Sequence, residues 1–104
     1  MEQCGFKMQL KAGNAAKYKQ RHDAIWPELV ALLSDVGVSD YSIFLDETSN
    51  TLFAFLRRSD DHRMGDLAQH PVMQRWWVSM ADLMETDAHL RPLTTPMLPM
   101  FHLD

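Results

Sequence analysis

Along this chain the apolar residues are spaced alternately with a period of two and a period near 3.6, and that order leaves few folds open. Cys4, Phe6, Met8 and Leu10 alternate with Gly5, Lys7, Gln9 and Lys11, the pattern of a half-buried strand. Gly13-Asn14 breaks it, and Asn14 can cap a helix. From Tyr18 the inward positions continue through His22, Ile25, Leu29, Leu32 or Leu33 and Val36 at helical spacing, with Gly37 as a stop. Tyr41, Ile43 and Leu45 alternate again. After "DETSNT", Leu52, Ala54 and Leu56 face one way and Phe53 and Phe55 the other, so a hairpin is expected. "SDDH" from Ser59 reads as a capped, acidic start to a second helix. His70-Pro71 interrupts that helix, and a stripe of Val72, Met73, Trp76, Trp77, Met80, Leu83 and Met84 resumes it. "TDAHLRPLTTP" is a loop by composition, and "MLPMFHL" a short last strand that Pro99 confines to an edge or bulge.

The order β-α-β-β-α-β predicts an α+β chain of the ferredoxin-like class, an antiparallel sheet with two helices on one face. At 104 residues, with neither repeat nor linker, residues 1–104 form a single domain. The other sheet face would carry Phe53 and Phe55 with no helix over it. That predicts a symmetric homodimer packed sheet against sheet, in effect a dimeric α/β barrel.

Several function classes drop out. The net charge is -4 with no basic block, so nucleic acid is not an expected partner. No apolar run nears the roughly 18 residues of a membrane helix, and "MEQCGFKMQLK" does not read as a signal peptide. The lone Cys4 excludes an internal disulfide and suits a reducing compartment, so a soluble, cytoplasmic protein is expected. His62, His70, His89 and His102 lack metal-ligand spacing, so no metal is assigned. A glycine-rich phosphate loop and a Gly-x-Ser-x-Gly elbow are both missing.

One stretch, "YKQRHDAIWPEL", bears on chemistry. Tyr18 and His22 are one turn apart on the face that the leucines continue. Pro27 cannot donate to the carbonyl of Asp23, so the helix must kink or open beside His22, leaving room for a ligand. On spacing alone His22 serves equally as a packing residue or as a proton carrier. Trp76 and Trp77 are about 100° apart around a helix, so one indole can fill the core while the other lines a cleft fit for a sugar's C–H face. Tyr41, in phase with Ile43 and Leu45, reads alone as a structural residue.

Together "RHDAIWPEL", "YSIFLD" and "QRWW" closely resemble the L-rhamnose mutarotase family over essentially the whole chain. The resemblance implies a homodimer of ferredoxin-like subunits that interconverts the α and β anomers of L-rhamnose without metal or cofactor. It places the general acid on His22 and the sugar contacts on Tyr18, Tyr41, Trp76 and Trp77. In that reading His22 protonates the ring oxygen. The second proton carrier is Tyr18, a water, or His22 acting in both directions. Departures fall at Cys4-Gly5 and in "TDAHLRPLTTPMLPM", whose length and proline content bear on the shape of the pocket rim and so on the sugar preference more than on the reaction. Two other readings are a dimeric α/β-barrel monooxygenase or haem degrader and a non-catalytic sugar-binding module, since fold alone does not carry function.

Overall fold

The computed structural model describes all 104 residues. Its strands are β1 (Glu2–Gln9), β2 (Val38–Asp46), β3 (Thr51–Arg58) and β4 (Thr95–Met97). They form one antiparallel sheet in the order β2-β3-β1-β4. The helices are α1 (Ala15–Asp23), α2 (Pro27–Asp35) and α3 (Pro71–Met80), with 3₁₀ turns at Met64–Gln69 and Ala81–Leu83.

The register sets opposite faces as the alternation predicts. Met8 pairs with Leu52 and Phe6 with Ala54, while Ile43 and Leu45 stand across from Ala54 and Leu52. On that face Leu52, Ala54 and Leu56 are buried under α2 and α3, which contribute Leu29, Met73, Trp76 and Met80, with Val36 just past the end of α2. The opposite face carries Phe44, 63% exposed, and Phe55, 47% exposed, with their rings 6.4 Å apart.

β2 carries a bulge between Ser39 and Ser42, where Asp40 takes a left-handed φ of 49°. Two residues there oppose one on β3. The extra residue turns Val38 and Tyr41 to the same side, which strict alternation would forbid.

Four expectations need correction. The stretch from Asn14 to Val36 is two helices rather than one kinked helix. Trp26 is extended (ψ 131°), as a residue before proline prefers, and Pro27 becomes the first residue of α2. Asn14 precedes α1, but its side chain makes no capping hydrogen bond. "SDDH" caps nothing: the segment is a turn held by Ser59 N–H to Gly37 O (2.9 Å), and helical structure starts only at Met64. The last strand is Thr95–Met97, which shares only Met97 with the expected "MLPMFHL": its register puts Pro96 opposite Phe6 and Met97 opposite Gly5 at the sheet edge. Residues 98–104 have no regular structure, and Leu98, Met100, Phe101 and Leu103 are each at least 80% exposed.

Candidate active site

α1 ends directly after His22, and its last turn is pinned to the end of α3. The Arg21 guanidinium forks onto the Asp82 carboxylate (2.8 and 3.2 Å) and donates to the Ser79 carbonyl. This tether, between residues 61 apart in sequence, brings the Tyr18–His22 face against Trp76. The Tyr18 and His22 rings stack with centroids 4.3 Å apart, and the imidazole meets the Trp76 indole edge-on at 5.3 Å.

The orientation of the imidazole decides its chemistry. His22 Nδ1 lies 3.0 Å from the Tyr18 carbonyl oxygen. A carbonyl can only accept, so Nδ1 carries the hydrogen and the neutral ring keeps its lone pair on Nε2. Burial lowers the His22 pKa below its ordinary 6.5, with the bond to the Tyr18 carbonyl acting the other way. At neutral pH the ring is therefore an uncharged base with a fixed tautomer.

Tyr18, His22, Tyr41, Trp76 and Trp77 all line one cavity of about 1090 Å³ between the helices and the sheet. Trp76 is buried, and Trp77 is half-buried at the same wall. Tyr41 reaches the cavity from the bulge, with its ring 6.4 Å from that of Phe6. Only one buried side-chain nitrogen or oxygen in the protein lacks a partner, Nε of Arg58. The Tyr18 hydroxyl, His22 Nε2 and both indole N–H groups have no protein partner either, yet none is sealed, so each has open space beside it. An apolar cavity with a few convergent, unspent polar groups suits a small neutral polyol.

Both phenols stay protonated. Burial pushes the Tyr41 hydroxyl up to about 12 although the residue keeps 39% of its surface, and pushes Tyr18 higher still. They can donate hydrogen bonds but are weak proton acceptors near neutrality. Lys19 and Asp23, also at the wall, are tied to each other at 2.9 Å. No group of three or more His, Cys, Asp or Glu residues is placed to hold a metal ion.

Two site features escaped the sequence reading. Trp26 backs Trp76 edge-on at 5.2 Å, and its position before Pro27 could have flagged it. Arg91, in the loop after α3, reaches the cavity and lies 5.4 Å from the Trp77 ring centroid. No spacing rule connects those two positions.

Comparison with known proteins agrees with the geometry. Residues 3–103 match the family model described as L-rhamnose mutarotase. An L-rhamnose mutarotase of Rhizobium meliloti (strain 1021) is 61% identical over 103 residues, 99% of each chain. One from Sinorhizobium medicae (strain WSM419) is 58% identical over the same span and coverage. The crystal structure of an L-rhamnose mutarotase from Formosa agariphila superposes with a TM-score of 0.93 at 45% identity, covering 100% of both chains.

Proposed function

The chain belongs to the L-rhamnose mutarotase family, and on that premise we propose that it interconverts the α and β anomers of L-rhamnose with His22 as its proton carrier. The observation that carries this reading is the tautomer: Nδ1–H is spent on the Tyr18 carbonyl, and a basic Nε2 is left beside a cavity lined with unspent donors.

Mutarotation moves one proton between two oxygens on the same carbon. Nε2 removes the proton from the anomeric hydroxyl, and the C1–O bond to the ring oxygen breaks. The imidazolium so formed then gives that proton to the departing ring oxygen. The open aldehyde rotates about C1–C2, and the reverse steps close the ring on its other face. One nitrogen serves both oxygens, so His22 acts in both directions and no second carrier is required. The high phenol pKa values favour this over Tyr18 as the partner base. Tyr18 and Tyr41 donate to sugar hydroxyls, and the indoles of Trp76 and Trp77 hold the ring between them. Placed acid–base catalysis contributes typically ~10²–10⁴-fold, sufficient for a reaction that also runs unaided in water. Positioning then matters more than strong electrostatics.

The functional unit in this reading is a homodimer that forms the dimeric α/β barrel. Phe44 and Phe55 leave one sheet face apolar, and the exposed Leu98, Met100, Phe101 and Leu103 add further apolar surface. The free Cys4 suits the reducing cytoplasm, and no helix is long and apolar enough to cross a membrane. Saturation-transfer proton NMR of L-rhamnose tests the activity directly. The protein should raise the α–β exchange rate in proportion to its concentration. Binding of rhamnose without faster exchange would reject the enzyme in favour of a sugar-binding module.

A further inference from the structure

The loop after α3 holds a cation that has no ion-pair partner and that the proton transfer does not use. Its backbone is over-determined. The Asp87 carboxylate accepts from the backbone N–H of His89 (2.8 Å) and Arg91 (3.0 Å), and Asp87 N–H donates to the Arg91 carbonyl (2.9 Å). Leu90 takes a left-handed φ of 63°, Thr86 bridges to Pro92, and Arg91 precedes that proline, which limits its own backbone. Arg91 is therefore presented from a fixed point, with its guanidinium over the Trp77 indole at 5.4 Å. Arg21, Arg57, Arg58 and Arg63 are all ion-paired, as is Lys19 at the cavity wall. Arg75 and Arg91 form no ion pair and spend no guanidinium donor on the protein, and of these two only Arg91 lines the same cavity as His22.

A guanidinium held over an indole is restrained, and its paired N–H groups match two neighbouring oxygens. We propose that Arg91, held over Trp77 at the cavity mouth, is a substrate-positioning residue that donates a pair of hydrogen bonds to adjacent hydroxyls on the sugar ring. His22 stands against Trp76 and Arg91 over Trp77, so the two indoles separate the proton carrier from the guanidinium. The anomeric carbon belongs at the His22 end and the gripped hydroxyls at the other. The inference rests on the mutarotase reading, but it names a contact outside the residues that do the chemistry.

Exchange rates across a range of L-rhamnose concentrations should show Arg91→Ala raising KM by about tenfold or more with kcat nearly unchanged, tenfold being the scale of one lost hydrogen bond to a charged group. Arg91→Lys keeps the charge but not the fork and should recover only part of the loss. A panel of monodeoxy L-rhamnoses locates the contact: the analogue lacking a gripped hydroxyl should be nearly indifferent to Arg91→Ala. An unchanged KM, or the same fold loss for every analogue, overturns the assignment. Failure of the wild-type protein to speed exchange would instead strike the mutarotase reading itself.

Discussion

Replacing His22 with asparagine separates proton transfer from architecture. An asparagine amide can still offer an N–H toward the Tyr18 carbonyl that Nδ1 now serves at 3.0 Å, but it has nothing basic at the position of Nε2. No other group is placed to take over. The phenols titrate far above neutrality, Asp23 is paired with Lys19, and Glu47 sits in the β2–β3 turn. The full acid–base contribution should vanish, so the rate falls by ~10²–10⁴ toward spontaneous exchange. Stability should fall far less. The chief loss is the stacking on Tyr18 at 4.3 Å, worth about 0.5–1.5 kcal/mol, or about 2–10 °C in Tm for a domain this size. Saturation-transfer NMR reads the first quantity and a thermal melt by circular dichroism the second. Exchange within about tenfold of wild type, in a variant that melts as expected, would refute His22 as the carrier.

Four further outcomes follow from the structure. Because burial lowers the His22 pKa, kcat/KM should fall on the acid side with a midpoint below 6.5 and stay flat up to about pH 10, and the acid limb should be gone in His22→Asn. Linkage gives the sign for stability: an unfolded chain takes up its His22 proton at the higher pKa, so the stability contribution is complete above 6.5 and is lost as pH falls through the lowered value, measurable by melts between about pH 8 and 5. Arg21→Ala cuts the tether between α1 and α3, and kcat should drop with a modest change in Tm because the pair is partly exposed; an unaltered kcat would show that His22 needs no such anchor. Phe44→Glu places a charge on the open apolar sheet face and should convert a dimer to a monomer in size-exclusion chromatography with light scattering; a wild-type monomer at micromolar concentration would refute the dimer.

What could be read from the chain was whatever local spacing controls. Leu52, Ala54 and Leu56 declared a buried face, and Phe53 and Phe55 an opposite one, because strand geometry admits no other arrangement. Tyr18 and His22 declared a shared helix face for the same kind of reason, and the stacking confirms that proximity. Longer-range causes were invisible. Pro27 permits either a kink or a helix end, and the extended Trp26 that makes it an end packs edge-on against Trp76 across the layer, a contact that local spacing does not reveal. The position of β4 depends on which segment meets Phe6 across the edge, and the pairing chose Pro96 over the more strand-like "MLPMF". Of the site, the five residues that the resemblance marked do meet around one cavity, whereas Arg91 arrives there on a loop whose course is set by its own turn.

Leu29, Leu52, Leu56, Met73 and Trp76 belong at once to the packed interior and to the wall of the hollow. Thermostabilisation by enlarging interior side chains would therefore plug the space a substrate needs. The safer margin lies at the start of α3, where His70 makes no side-chain cap: an engineered cap there would add robustness without narrowing the chamber, whereas the same position of α2 is Trp26, which backs Trp76.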